Sequence, residues 1–440
     1  MLSISRSCRL FLFMVMIIMS LDPVSLVSGE DGGGILIKLD EALIRAEAHH
    51  EQIQIDRERR EQVLLLRKRA FASFLPVLTF NTTLTHYDTE IVFGDRTIQQ
   101  QDALSGDVRA TVPLYSAPLF PALSGARATA KAADLTFEWQ KVSFLFEVSR
   151  TYFATLSAQN LVQTAERALL TAQEHHSATQ TRLSAGEVLS LDVTRARMEV
   201  MTLERDLIKV RSACDGAFEY LSFLIQQDLP FRIESPVMAE LEHSEGSQFV
   251  DRAHRDRPDL IAQEYTIEAG EYACREALVD YLPELNLTGT YRGTENTGFS
   301  GDNFSWNVLL SFDWMLYSGG KRGITRHERA SQLQALRLQK RLLERRIKLE
   351  VQQAERDLKT ARATLDTAEG KLALARENQE LVLERFRAGL ATSLEIIDAD
   401  EQLRQAEYAV VAEQFHLELM RLEMFRVLGF KPLGKEIMQP

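Results

Sequence analysis

Four segments of the chain alternate apolar and polar residues with a period of two, the signature of strands that present one apolar face. In the first, Leu78, Phe80, Thr82 and Leu84 oppose Thr79, Asn81, Thr83 and Thr85; in the second, Val108, Ala110, Val112 and Leu114 oppose Asp107, Arg109 and Thr111. The third sets Leu285, Leu287 and Tyr291 against Asn286, Thr288, Thr290 and Arg292. The fourth sets Phe304, Trp306, Val308, Leu310, Phe312, Trp314 and Leu316 against Ser305, Asn307, Ser311 and Asp313. These patterns predict strands over about 76–92, 105–116, 283–293 and 303–317. A sheet covered by helices would show the same alternation. The aromatic stripe of Phe80, Tyr291, Phe304, Trp306, Phe312 and Trp314, with charges at mid-strand on the other face, better suits strands between lipid and a wet lumen. Four strands do not close a barrel, and an open edge in a bilayer leaves backbone groups unpaired. Several chains must then share one barrel, and three copies supply twelve strands, an even number in the usual range.

A second periodicity governs the rest of the chain. From Ile347, apolar positions step by four and three through Val351, Ala354, Leu358, Ala361, Leu365, Ala368, Leu372 and Ala375, a heptad with Ala repeatedly on one seam position. The same register recurs 203 positions earlier at Phe144, Val148, Thr151, Thr155, Ala158, Val162, Ala165, Leu169 and Ala172, with two polar lapses. Two long helices are predicted, from Leu123 to Leu183 and from Gly323 to Phe386, each about 90 Å at 1.5 Å per residue. The chain is in fact written twice: RLSAGEVLSLDVTRARMEV from Arg182 and RFRAGLATSLEIIDADEQL from Arg385 share Arg, Ala-Gly, Ser-Leu, an acid and Ala at matching positions. A unit of this length is too long for an ordinary solenoid and points to a duplicated half-structure. The expected organisation is a first repeat over 30–225, an inter-repeat segment over 226–250, a second repeat over 251–429 and a tail over 430–440.

Composition narrows the function. The 440 residues are 45% hydrophobic and 26% charged, enough for a sizeable core, and the net charge of -12 argues against nucleic acid as a partner. Arg6 and Arg9 precede an apolar run from Leu10 to Leu21 and small residues at Ser25, Ser28 and Gly29, which reads as a signal peptide over 1–29. No later stretch has the 18 or more apolar residues of a membrane helix, so entry into a membrane would be by strands. Of three cysteines, Cys8 goes with the signal peptide; Cys214 and Cys274 could pair as a disulfide in an oxidising compartment, but two cysteines 60 residues apart give no framework, and the free, buried state is the favoured reading. Enzymatic chemistry is not expected. The pairs His49-His50 and His175-His176 point about 100° apart on a helix, and Gly319-Gly320-Lys321 lacks the upstream Gly and following Ser or Thr of a phosphate loop. No cofactor and no metal site is expected.

In its duplicated organisation, its Leu75-Pro76 and Leu282-Pro283 strand entries, the RPDL of Arg257 to Leu260 and its two Gly turns, the mature chain resembles the TolC family of outer-membrane efflux ducts. The resemblance implies a mainly α protein with β: a duplicated TolC-like unit, assembled as a homotrimer with a twelve-stranded transmembrane β-barrel continued by a long α-helical coiled-coil barrel. An equatorial band would draw on 226–250 and on the segment after Gly429. Members are passive exit ducts in the outer membrane of diderm bacteria, extending into the periplasm and docking on an inner-membrane transporter through a periplasmic adaptor. The resemblance also places Gly186 and Gly389 at the helix tips near the periplasmic entrance, and Glu395 and Asp398 where other members have two acids lining that entrance. Against this stands the plainer reading that they are two solvated acids among 63 Asp and Glu. The third acid implied at the entrance is Asp192: some members lock the tip with a basic residue two positions after the second Gly, bonded to the matching acid; here that position is Ala391, so closure would use Arg385, Arg387 or helix packing. The other function open to the chain is a periplasmic coiled-coil scaffold or adaptor without a pore. Multidrug or metabolite efflux and type I protein secretion both stay open.

Overall fold

The structure, a computed structural model, describes residues 35–236, 246–296 and 302–432. The expected signal peptide, residues 237–245 of the inter-repeat segment and residues 433–440 of the tail lie outside the described residues. The first half runs β1 (Ile35–Ile37), α1 (Leu39–His49), α2 (Glu51–Ala72), β2 (Val77–His86), β3 (Ile91–Phe93), β4 (Arg96–Gln99), β5 (Asp102–Tyr115), α3 (Leu119–Ser184) and α4 (Ser190–Ile225). The second runs β6 (Phe231–Ile233), α5 (Ser247–Asp256), α6 (Pro258–Val279), β7 (Glu284–Thr294), β8 (Phe304–Asp313), α7 (Lys321–Arg387) and α8 (Ser393–Val427).

The four alternating segments form one antiparallel sheet in the order β2-β5-β7-β8. Its register carries Phe80 beside Val108, Val108 beside Tyr291 and Tyr291 beside Trp306, so these four share a row on one face. The next row, on the other face, is Thr79, Arg109, Thr290 and Asn307. Two strand ends fall well short of the sequence expectation. The strand expected over 76–92 ends at His86, because Gly94, at φ +62°, turns Ile91–Phe93 back on Arg96–Gln99 as a separate hairpin. The strand expected to reach 317 ends at Asp313, and the Trp314 indole N–H instead donates to Tyr281 O at 3.1 Å.

Each strand continues into a helix, and the helices keep the lateral order of the strands: α2 packs on α3, α3 on α6 and α6 on α7. Farther from the sheet, α3 pairs with α4 and α7 with α8 as two coiled hairpins. The predicted seam of α7 is where burial falls: Ile347, Val351, Ala354, Leu358, Ala361, Ala368 and Ala375 are buried, the small residues letting α8 approach closely. The polar lapse at Thr155 is satisfied internally. Thr155 Oγ1 lies 2.9 Å from Thr151 O and 3.2 Å from Ala217 O of α4, so a hydroxyl is buried there without an unpaired group.

Between sheet and tips, a belt of short elements packs around the middle of the helices. Here β1 pairs in parallel with β6, and Ile37, Leu39, Phe144, Val148, Leu221, Phe231, Leu422 and Phe425 join in one apolar cluster. Tyr152 is fully buried in it; its hydroxyl lies 3.0 Å from Ile37 O and 2.8 Å from Glu234 O and accepts the Glu234 N–H at 3.2 Å. Tyr152→Phe strips these backbone groups of their partner. It is expected to cost about 1 to 3 kcal/mol, read as a lower thermal midpoint; an unchanged midpoint would mean water takes over the bonds.

Candidate functional site

The hairpin tips form alike in both copies. Gly186 and Gly389 adopt φ of +77° and +74°, the left-handed conformation that closes a helix C-terminus and that side chains resist. The six-residue closing bonds match: Glu187 N–H to Arg182 O at 3.0 Å, and Leu390 N–H to Arg385 O at 2.8 Å.

The three acids predicted at the entrance divide into two kinds. Glu395 is the third residue of α8, and its carboxylate accepts the Thr392 N–H at 2.6 Å and the Thr392 hydroxyl at 3.1 Å while Glu395 N–H donates to Thr392 Oγ1 at 3.3 Å, a capping box. The backbone bond from Thr392 comes first among the causes that hold its carboxyl below the usual range, then the Thr392 hydroxyl, with Arg385 adding a smaller pull. Asp192 has the same place in α4, accepting the Leu189 N–H at 3.2 Å. Asp398, one turn along α8, is exposed and has no hydrogen bond or ion pair among the described residues. Its first-copy counterpart is Arg195.

Four residues that sequence reasoning missed join the two hairpins at the tip. Arg182, at the end of α3, stands 4.2 Å from the ring centroid of Phe386 on α7 and donates from Nη1 to Phe386 O at 3.3 Å. Phe386 is only 6% exposed. His175 Nε2 lies 3.1 Å from Ser393 Oγ at the start of α8, and its ring is 5.8 Å from that of Phe386. Arg385, expected as a possible lock, instead donates to Leu390 O within its own turn at 3.3 Å. Burial, followed by the charge of Arg182 and by His176, pushes the His175 pKa down. Next to it a cavity of about 240 Å³ lies between the two hairpins, lined by Arg167, Glu199, Arg404, Glu407 and Asp400 among others. Burial raises the Asp400 carboxyl, against the pull of a hydrogen bond from Gln379 at 3.1 Å.

At the opposite end, the aromatics of the sheet project into open space: Phe80, Tyr291, Phe304, Phe312 and Trp314 are exposed, and Trp306 is 75% exposed. The other face carries Asn81, Asp107, Arg292 and Ser305 in one row. Strands β2 and β8 are the two open edges. No helix among the described residues is long and apolar enough to cross a membrane. Among the described residues no group of three or more His, Cys, Asp or Glu is placed to hold a metal ion. Among the described residues Cys214 and Cys274 are free; Cys214 is buried as expected, whereas Cys274 is only half-buried.

The fold is thus a four-stranded sheet with one apolar face, continued by two coiled hairpins of about 100 Å in duplicated halves. A sequence model of outer membrane efflux proteins matches residues 41–225 and 249–428, and the chain belongs to that family. It is 21% identical over 291 residues to the outer membrane efflux protein BepC of Brucella suis, covering 65% of this chain and 63% of the relative. It is likewise 21% identical over 305 residues to the probable efflux pump outer membrane protein TtgC of Pseudomonas putida, covering 66% and 61%. The matched region thus spans less than two thirds of these relatives' length. The fold is that of the solved structure of CusC, with a TM-score of 0.78, 15% identity, and 92% of this chain and 96% of that chain covered.

Proposed function

We propose that the protein is an outer-membrane exit duct of a tripartite efflux or type I secretion system, conducting substrates passively across periplasm and outer membrane. The observation that carries this reading is the two-faced sheet with two open edges. An apolar face this large is unstable in water, and unpaired edges are unstable in lipid. Pairing β2 of one copy with β8 of the next satisfies both demands, and three copies close twelve strands. The helices, ordered as the strands are, would then extend the same wall into the periplasm. A pore-less scaffold would leave the apolar face and both edges without a purpose. Energy for transport would come from an inner-membrane transporter, reached through a periplasmic adaptor at the helix tips. The names of the relatives BepC and TtgC support efflux.

Within this reading Asp398 is the entrance acid, repeated once per protomer, and Glu395 and Asp192 chiefly hold the tip helices in place. Carboxylates around a narrow opening attract cations and compete for them. Single-channel recording of the purified oligomer in planar bilayers tests both statements. The expected result is a small cation-selective conductance blocked by multivalent cations, with the block lost in Asp398→Ala and largely kept in Glu395→Ala. Equal block in Asp398→Ala would remove the entrance assignment, and a well-folded oligomer without conductance would remove the duct.

A further inference from the structure

We infer that the protomer edges just below the barrel form a site for a phospholipid with an anionic headgroup, at the seam between neighbouring copies; this rests on the shared-barrel reading above. The observation is the distribution of charge where strands pass into helices. Arg67, Lys68 and Arg69 lie in the last turns of α2, and Lys321, Arg322 and Arg326 in the first turns of α7. No acidic residue occurs over 62–76 or over 314–327. The two inner junctions differ: at the end of α6 the single Arg275 is accompanied by Glu276, Asp280 and the Glu284 that begins β7, while 116–126 at the start of α3 carries no charge and is followed by the single Arg127. The basic residues of this level are thus concentrated on α2 and α7, the edge helices, in a chain whose net charge is -12.

Arg322 is held by Asp280 at 3.0 Å. Arg67, Lys68, Arg69, Lys321 and Arg326 have no ion pair among the described residues, and all five are exposed, together with exposed apolar side chains. Leu65, Leu66, Phe71 and Leu75 flank the α2 cluster, and Trp314, Met315, Leu316, Tyr317 and Ile324 flank the α7 cluster. Closing the barrel brings β2 beside the neighbour's β8, and with them two basic edges that repel each other in the absence of a counter-charge. Arg67, Lys68 and Arg69 advance about 100° each around α2, so they do not all turn into the seam. A basic cluster one or two helical turns from a row of exposed aromatics matches a membrane boundary, with acyl chains against the aromatics and a phosphate among the cations. A free phosphate would use the cations and leave the apolar rows unused, which favours the lipid.

Native mass spectrometry of the detergent-purified full-length oligomer, with phosphatidylglycerol or phosphatidylcholine added, tests the inference. The wild type is expected to retain phosphatidylglycerol in preference to phosphatidylcholine, and Arg326→Ala to weaken that binding about fivefold, as should one of Arg67→Ala and Arg69→Ala, whose side chains lie about 200° apart on α2. Lys371→Ala, far down α7, should leave it unchanged. Because these side chains are exposed, oligomer mass in the absence of lipid shows whether each variant is intact, and Arg69→Lys and Arg326→Lys, which retain the charge, should bind like the wild type. Equal retention of both lipids, or undiminished retention by the alanine variants, overturns the lipid site. Competition by inorganic phosphate at millimolar concentration, with no effect of acyl chains, would make it a plain anion site and overturn it too. A wild type that is not an oligomer refutes the shared barrel itself, whereas an oligomer without lipid preference refutes this inference alone.

Discussion

Replacing Arg182 by alanine is expected to raise the open probability of the reconstituted channel about five- to thirtyfold. The figure comes from the two contacts that Arg182 makes to the other hairpin, one to the face of Phe386 and one to its carbonyl. At a partly exposed site these are together worth about 1 to 2 kcal/mol, and an open–closed equilibrium responds by that factor. Phe386→Ala, which also vacates a buried position, should act in the same direction, whereas Arg182→Lys should recover only part of the closed state because it loses the planar fork. Acid should do likewise through His175. Its folded pKa lies below the ordinary 6.5, so the neutral ring's contribution is present above 6.5 and lost as pH falls through the folded value. Asp400, with a raised pKa, is relieved by the same protons and opposes the effect on the α8 side of the cavity. His175→Phe should therefore flatten whatever acid activation the wild type shows. A wild-type and Arg182→Ala channel with the same open probability would show that closure is carried by contacts between protomers.

Arg257→Ala is expected to be the most destabilising single substitution in the belt. Arg257 caps the start of α6, is 2% exposed, and donates from Nε and Nη2 to Asp259 at 3.1 and 2.7 Å and from Nη1 to Glu350 of α7 at 2.7 Å. Its guanidinium also lies 4.8 Å from the ring centroid of Trp139 on α3. One side chain therefore ties three helices that come from both halves of the duplication. Removing it leaves two carboxylates facing each other with their cation gone, a loss of about 3 to 5 kcal/mol. The loss should be seen as a fall in the thermal midpoint of the oligomer and as a heat-labile band on electrophoresis. Arg257→Lys should not restore it, since an ammonium cannot hold both carboxylates in the fork geometry. A midpoint within error of the wild type would show that the belt is held by its apolar cluster alone.

The RPDL motif illustrates how far residues alone lead. In the sequence it marks the start of the second copy, but the reason for its Arg, the reach to Glu350, is visible only once α6 and α7 are packed. Thr151 and Thr155 interrupt the apolar heptad and read as lapses, yet both are buried, and the Thr155 hydroxyl has backbone partners. The family resemblance implies Asp192 and Glu395 as entrance acids, and both prove to be the third residue of a helix, bonding back to its cap.

The sequence by itself determined the two periodicities, the duplication and the turns, and with them the four strands, the seams of the coils and the apolar face of the sheet. These are legible because a period reports which side of an element is apolar, and that depends only on neighbours a few residues away. The tertiary structure alone decided the order β2-β5-β7-β8, which leaves β2 and β8 as edges, and the clasp at the tip. Arg182 and Phe386 are 204 positions apart, and no local pattern distinguishes that Arg from Arg385, its repeat partner, which bonds within its own turn. Their meeting depends on how one coil is laid against the other, an angle set by the whole packed length of both.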